Sequence, residues 1–237
     1  MSPANVFTVE LLSALATPRK AALRLGLSFL IGAPFVLAAM PLKVRVAGLV
    51  MLALFHSLFG AAVGLVRDRS EGRWGWLLTL PLTRGGIILD RTLAGSLVDL
   101  GQSGPLLFLF WALHGAGQGP AALAGLLLIF WVTVALFNLL GLLLGGLVRS
   151  NAEVHLGGAL CVGLVALFSG LIPMPESLNS VVGVVVVFSP AAHLAGFLES
   201  LAKGSGPGLD PAWLAAGLLL AVAVLLRALN LGGRTRG

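Results

Sequence analysis

The sequence predicts an all-α, polytopic helical membrane protein, and two observations carry that prediction. Hydrophobic residues make up 58% of the 237 positions and charged residues only 10%, whereas soluble domains carry about 25% charged residues. Several apolar runs also reach the roughly 20 residues that a helix needs to cross a hydrocarbon core of about 30 Å. These runs do not alternate between polar and apolar residues, as the strands of a transmembrane β-barrel would.

We predict one membrane domain over residues 1–237, with six spanning helices. The spans cover approximately 21–40, 47–66, 93–114, 121–147, 156–174 and 211–230. An even number of spans places both termini on one side of the membrane. If that side is the cytoplasm, most basic residues lie inside, as the positive-inside rule requires.

The basic residues on the inside are Arg19, Lys20, Arg24, Arg67, Arg69, Arg73, Arg84, Arg91, Arg149, Arg227, Arg234 and Arg236, and those on the outside are Lys43, Arg45 and Lys203. They flank the spans instead of forming one run. The formal net charge of +6 therefore indicates orientation in a lipid bilayer, and we expect no nucleic-acid partner.

The residues before the first span predict a short amphipathic helix. Val9 and Leu12 fall on a face suited to lipid, and Glu10 and Ser13 on a face suited to water. Such a helix lies on the inner leaflet, and Pro18 is placed to end it. The alternative is an extension of the first span into the cytoplasm.

The predicted cytoplasmic loop 67–92 begins RDRSEGRWGWLLTLPLTRGG, between two apolar segments. Ser70 is placed to cap a short helix. Trp74, Leu77 and Leu78 share one face of that helix, and Pro81 ends it because proline lacks an N–H and clashes with the preceding turn.

A second helix is predicted to begin at Thr83, as its cap, and to continue into span three. A simple connector needs only a few polar residues. We therefore interpret the loop as a docking element for a cytoplasmic partner. The alternative is that Trp74 and Trp76 anchor the loop at the membrane surface.

The segment after span five predicts an external re-entrant or interfacial hairpin. Pro173, Pro175 and Pro190 interrupt it. Its apolar run VVGVVVVF is too short to span the membrane twice and too apolar for an ordinary loop.

Residues that catalyse reactions are scarce. The sequence contains no GxxxxGK[ST] phosphate-binding loop, no GxSxG nucleophile motif and no HExxH zinc motif. We therefore expect neither an enzyme nor a metal site nor a bound cofactor, and any nucleotide must be held by another chain.

Three polar residues inside the spans are candidates for a substrate pathway. Asp99 and Gln102 lie in span three and Asn138 in span four. A carboxylate at the centre of a membrane helix costs roughly 2.5–3.5 kcal/mol on insertion scales, which makes it a candidate functional group. The alternative is a structural hydrogen bond.

Other features of the spans indicate packing. His56 and Trp131 are predicted to be packing residues, as is the single cysteine, Cys161. Gly141 and Gly145 have the GxxxG spacing that allows two helices to approach closely.

Three motifs in this order resemble the membrane-spanning subunit of type-2 ABC transporters, a class that contains bacterial exporters of drugs, antibiotics, lipids and polysaccharides. The loop RDRSEGRWGWLLTLPLTRGGIILDRTLA has the family's acidic residue and glycine, then Leu-Leu-x-x-Pro-Leu, then a basic residue at the head of span three. Phe-Ser-Gly near the end of span five precedes a Pro-x-Pro segment, and Ser-Pro precedes AAHLAGFLESL. The resemblance covers nearly the whole chain.

The resemblance implies sites and partners for this chain. The coupling helix that docks on the ATPase would comprise Glu71, Gly72, Trp74, Leu77, Leu78, Pro81 and Leu82. The external segment would include Ser169, Gly170, Pro173, Pro175 and Pro190. The partners would be an ABC ATPase subunit, which binds ATP and Mg, and a second permease copy in a homodimer. The location would be the cytoplasmic membrane of a bacterium or archaeon.

The loop also departs from the family pattern. RWGW is unusually aromatic, and Asp90 precedes the basic residue Arg91, so we expect a docking surface particular to its own partner. A haem-exporter-type permease, which has a similar loop, remains an alternative. So do a secondary transporter driven by an ion gradient, with charged residues at membrane depth, and an intramembrane enzyme.

Overall fold

The computed structural model describes residues 6–80, 82–172, 186, 188–205, 212–213, 215–216 and 219. Across these residues the secondary structure is helical, without a strand, and four helices are long and apolar enough to cross a membrane. The all-helical, membrane-type fold class is therefore confirmed. Pro81, Pro173, Pro175 and most of the predicted sixth span fall outside the described residues.

Eight helices are described in this part of the chain, which we number in order. They are α1 (Val6–Leu15), α2 (Pro18–Leu37), α3 (Leu42–Ser70), α4 (Arg73–Leu77), α5 (Arg84–His114), α6 (Pro120–Leu147), α7 (Asn151–Phe168) and α8 (Pro190–Lys203). Helix α3 contains one π-helical turn, Phe55–Phe59, and a short 3₁₀ turn, Ala116–Gln118, precedes α6.

The four membrane-length helices are α3, α5, α6 and α7, and they overlap the second to fifth predicted spans. Helix α7 begins five residues earlier and ends six residues earlier than the span predicted at 156–174. Both α3 and α5 extend farther than predicted, because their charged ends remain helical beyond the apolar run. Helix α2 occupies the position of the predicted first span, and its apolar part, Ala21–Leu37, is shorter than these four.

The two ends of the bundle differ in charge. We call the end where α3 finishes and where α5 and α7 begin the charged end; it also holds α1 and α4. The opposite end, here the far end, holds the 3₁₀ turn and the end of α8, where the Gln118 side chain donates a hydrogen bond to the Leu201 carbonyl at 2.7 Å.

Helix α6 lies against α3 at very short range. A Cβ added at Gly141 would meet the backbone carbonyl of Leu58, and one added at Gly145 would come within 2.8 Å of the Ala62 carbonyl oxygen. The GxxxG prediction of close helix packing is therefore confirmed.

The charged-end loop begins differently from the sequence prediction. Ser70 does not cap a helix, because it is the last residue of α3 and its hydroxyl donates to the Arg67 carbonyl at 2.8 Å. Helix α4 begins only after Gly72, whose φ of 75° is a left-handed conformation that favours glycine. Thr83 does cap α5, since its hydroxyl accepts the Gly86 N–H at 3.1 Å.

The amphipathic helix predicted before the first span exists as α1, but one face was assigned wrongly. Val6 and Phe7 are buried in the protein, and Glu10 does not face water. Its carboxylate instead forms ion pairs with Arg73 and Arg91. Charge pairing with residues distant in sequence overrides the local amphipathic pattern.

Pro190 begins helix α8 directly after the non-helical Ser189. Proline is well tolerated at the first helical position because its missing N–H has no partner there anyway. The Pro190 carbonyl accepts a hydrogen bond from the Thr133 hydroxyl at 3.4 Å, and Thr133 lies about 20 Å along α6 from its start. Helix α8 therefore runs beside the first half of α6 and ends at the far end.

Candidate functional site

A cavity of about 1030 Å³ lies among α1, α2, α3, α5 and α6. Along α3 its lining extends from Gly48 to Asp68, a rise of about 30 Å at 1.5 Å per residue. This length is close to the thickness of a bilayer hydrocarbon core, about 30 Å. The cavity therefore follows most of the length of the bundle.

The three polar residues predicted for a substrate pathway all line this cavity. Asp99, Gln102 and Asn138 lie on the wall formed by α5 and α6. The Asn138 amide donates to Asp99 Oδ2 at 2.7 Å and to the Val134 carbonyl at 3.0 Å. Gly95 leaves room for Asn138, because a Cβ there would lie 2.9 Å from the amide oxygen. Asp99 thus has a structural hydrogen bond and also lines the cavity.

His56 lies in the cavity wall, which the sequence prediction of a packing role missed. The π-helical turn of α3 directs Phe55, His56 and Phe59 to the cavity, and π-turns are frequent at functional sites. The Ser28 hydroxyl of α2 lies 3.4 Å from a ring nitrogen of His56. A polar residue inside an apolar span was the only signal in the sequence, and the same signal identified Asp99.

Trp131 lies behind this wall, where its indole N–H donates to the Ser96 hydroxyl at 3.0 Å. It is packed against the hydrophobic core, as predicted. Cys161 is also packed against that core, which confirms its predicted role.

Four charged residues, which we call the ionic network, line the charged end of the cavity: Glu10, Asp68, Arg73 and Arg91. Arg91 pairs with Asp68 and, at 3.6 Å, with Glu10. Arg73 pairs with Glu10 at 3.4 Å and with Asp68 at 3.6 Å. Because the Asp68 and Arg91 side chains are only 3% and 10% exposed, this network joins α1, α3, α4 and α5 with little screening by water.

The inner face of the predicted coupling helix is held by apolar contacts. Leu77 is 1% exposed and packs with Val6 and Ile87, and Trp74 and Leu82 contact this cluster. The Arg91 guanidinium lies 6.0 Å from the centre of the Trp74 ring, at the limit for a cation–π contact.

The outer face of the same loop exposes apolar side chains. Trp76 is 54% exposed and Leu78 is 37% exposed, and Glu71 and Gly72 are also exposed. The structure thus divides the predicted docking residues into a buried set and an exposed set. Trp76, which was predicted only as an alternative anchor at the membrane surface, lies on this exposed face because its position two residues after Trp74 places it on the opposite side of a short helix.

The described residues of the predicted external segment meet beside α6. The Ser169 and Ser189 hydroxyls lie 2.5 Å apart, and both residues are buried. Gly170 has a φ of 69° at the end of α7, a turn for which glycine is favoured. These contacts hold the start of α8 against the end of α7.

The described site offers a polar wall at membrane depth, a charged end and an exposed apolar loop. Within the described ranges, no three side chains of the metal-binding types His, Cys, Asp and Glu come together. The arrangement is suited to holding a ligand and to changing access to it. Comparison of the chain with protein-family models, curated proteins and solved structures finds no match.

Proposed function

We propose that this chain is the permease subunit of an ATP-driven transporter of the type-2 ABC class, which exports a drug, an antibiotic, a lipid or another amphipathic substrate. The observation that carries this proposal is the cavity of about 1030 Å³ with Asp99, Gln102 and Asn138 on its wall. A volume at the top of the 300–1,000 Å³ range of ordinary ligand sites suits a large substrate. An ionisable residue at membrane depth is costly unless it has a function, which supports a role for this wall in transport.

In the membrane, we place six spans and both termini in the cytoplasm, with the charged end inside. The arginines of the charged end support this orientation through the positive-inside rule. Helix α8 then lies on the external side as part of the re-entrant segment. Its position beside the first half of α6 suits a segment that enters the bilayer from outside and returns.

The energy source in this proposal is a separate ATPase subunit that docks on α4. Trp76 and Leu78 offer exposed apolar contacts for docking, and Leu77 holds the loop to the permease from beneath. Arg73 belongs to α4 and forms ion pairs with two residues that line the cavity. Movement of α4 by the motor would therefore act on the cavity directly. The shift in access is limited by the free-energy difference that ATP creates between the two states.

The test is a mild-detergent pull-down of the tagged full chain from its native membranes, with identification of the proteins that come with it. We expect a P-loop ATPase and expect Leu78→Asp to abolish its recovery, because a charge in an apolar contact must be desolvated. Gly85→Asp is the matched control. It adds the same charge in the first turn of α5, where Gly85 is exposed with open space around it and where an acidic residue is favoured.

Two outcomes would contradict the proposal. Equal recovery of an ATPase with wild-type chain and Leu78→Asp would exclude Leu78 from the docking surface. Failure to recover an ATPase, with crosslinking also failing to trap one, would overturn the motor-driven assignment.

A secondary transporter driven by an ion gradient is the second candidate, and Asp99 favours it. A carboxylate in a membrane cavity is the kind of group that carries protons in such transporters. Transport that persists after ATP depletion and stops with a protonophore would establish this function. Transport that stops only with ATP depletion would exclude it.

A further inference from the structure

Among the described residues, two ionisable side chains that line the cavity have no ion-pair partner. The ionic network accounts for four of the ionisable lining residues, and Arg67 pairs with Glu71 at 3.7 Å. Arg24 of α2 and Asp99 of α5 remain, and neither lies within 4.0 Å of an opposite charge among the described residues. The cavity therefore has one basic and one acidic side chain, on different walls, without an ion pair to another described residue.

Packing contacts place these two charges at the same depth. A Cβ added at Gly32 of α2 would touch the Leu106 side chain of α5, so these two residues are level. Arg24 lies eight residues before Gly32 and Asp99 seven residues before Leu106, steps of about 12 Å and about 10.5 Å along the two helices.

Both charged groups are available to a ligand. The Asn138 amide donates a hydrogen bond to Asp99 Oδ2. The other carboxylate oxygen, Asp99 Oδ1, has no hydrogen-bond partner among the described residues. Arg24 is exposed to the cavity. Beyond this pair toward the far end, the wall becomes apolar through Leu27, Ile31 and Phe35.

We propose that the cavity binds a zwitterionic amphiphile, with its ammonium group at Asp99, its anionic group at Arg24 and its hydrocarbon chain along the apolar wall. A purely anionic ligand would leave Asp99, which is buried, without a counter-charge, which is unfavourable. A purely cationic ligand would leave Arg24 without a partner. A zwitterion satisfies both. This inference rests on the proposed function and deepens it by naming the substrate class of the same cavity.

The test is equilibrium binding of labelled probes to the full chain in nanodiscs made only of phosphatidylglycerol, with empty nanodiscs as background. The probes share a dodecyl chain and differ in charge: dodecylphosphocholine, dodecyltrimethylammonium and dodecanoate, each below its micelle-forming concentration. Glycerophosphocholine, which lacks the long chain, distinguishes a membrane-borne amphiphile from a free soluble zwitterion. We expect dodecylphosphocholine to bind best and glycerophosphocholine to bind at least about tenfold more weakly, because glycerophosphocholine has no hydrocarbon chain to bury against the apolar wall.

The decisive result is a crossed change of preference in two variants that each remove one of the two charged groups. Asp99→Asn keeps an oxygen that can accept the Asn138 amide N–H. We expect it to weaken the binding of dodecylphosphocholine about tenfold, because a hydrogen bond to a charged group is lost. Since Arg24 remains, the preference of the cavity shifts toward dodecanoate. Arg24→Gln gives the opposite shift, toward dodecyltrimethylammonium. Arg84→Gln is the control: Arg84 is exposed and lies outside the cavity lining, and we expect binding to stay within about twofold of wild type, as is usual for a screened exposed charge.

Equal binding of the three long-chain probes, or variants that leave the preference unchanged, would overturn the proposal. Preferential binding of dodecyltrimethylammonium by wild type, unaffected by Arg24→Gln, would assign the cavity to cations and would also overturn it. Binding requires no ATPase, so its outcome is separate from that of the pull-down. If an ATPase is recovered but the probes bind equally, the proposed permease function is retained and the zwitterion site is overturned. If the probes bind selectively but no ATPase is recovered, the site is supported and the ATP-driven function is overturned.

Discussion

Replacement of Asp68 by asparagine removes one negative charge from the ionic network with almost no change in side-chain volume. Asp68 is 3% exposed and pairs with Arg91, which is 10% exposed, so the variant leaves a largely buried cation without its nearest partner. Loss of one member of a buried pair costs about 3–5 kcal/mol. Arg91 retains Glu10 at 3.6 Å, and we therefore expect a value near the lower limit, about 3 kcal/mol.

This loss destabilises the charged ends of α3 and α5, which the Asp68–Arg91 pair joins. Amide hydrogen exchange measures local opening of this kind. We expect exchange at these two helix ends to rise about a hundredfold, since each 1.4 kcal/mol corresponds to a factor of ten. The buried middle of α6 serves as an internal reference and exchanges at the wild-type rate.

Glu71→Gln is the matched control for this prediction. It removes the same charge from an ion pair whose two side chains are 59% and 61% exposed, and pairs of this kind contribute about 0.2–1 kcal/mol. We expect exchange at the charged ends of α3 and α5 to rise by less than about fivefold. If Asp68→Asn and Glu71→Gln accelerate exchange there equally, the ionic network does not hold these two helix ends and the reasoning is refuted.

Two further predictions concern the packing of α6 and the end of that helix. Gly141→Ala places a methyl group against the backbone of α3. We expect it to lower the free energy of unfolding by about 1–3 kcal/mol, as measured by thermal denaturation in detergent. Gly146→Ala, in open space on the same helix, is the control and causes no loss of stability. Arg69→Leu removes the guanidinium that donates to the Gly145 and Val148 carbonyls at 3.1 and 2.9 Å. We expect the free energy of unfolding to fall by about 1–3 kcal/mol in the same assay. Unchanged stability would show that water replaces these hydrogen bonds.

The elements that the sequence predicted well are those decided by local composition. The fourth span was predicted at 121–147, and the structure has Pro120–Leu147, because an apolar run bounded by proline and glycine leaves few alternatives. Thr83 was predicted as a cap from its own side chain and is one. Gly141 was predicted to allow close packing and does so.

The elements that it predicted wrongly are decided by contacts between distant residues. Glu10 was assigned to water, but it pairs with Arg73, 63 residues away. The Asp68–Arg91 pair is a second example. The second span was predicted to end at residue 66, but α3 remains helical through Ser70 and therefore includes Asp68. The sequence identified Asp99, Gln102 and Asn138 as separate polar residues within apolar spans, without predicting that they line one cavity. Their assembly on one wall depends on how α5 and α6 pack, which no local pattern specifies.

The π-helical turn Phe55–Phe59 determines how the two halves of α3 relate to each other. A π-turn contains one residue more than the α-helical turn it replaces, and one residue corresponds to a rotation of about 100° around the helix axis. Without that residue, the half that packs against α2 at Gly48 and the half that carries Asp68 could not both face their present partners. A single-residue deletion in this turn would keep α3 helical and apolar, but it would turn Asp68 away from Arg91. The spacing of the apolar and charged contacts in α3 is thus set by one extra residue in the middle of the membrane.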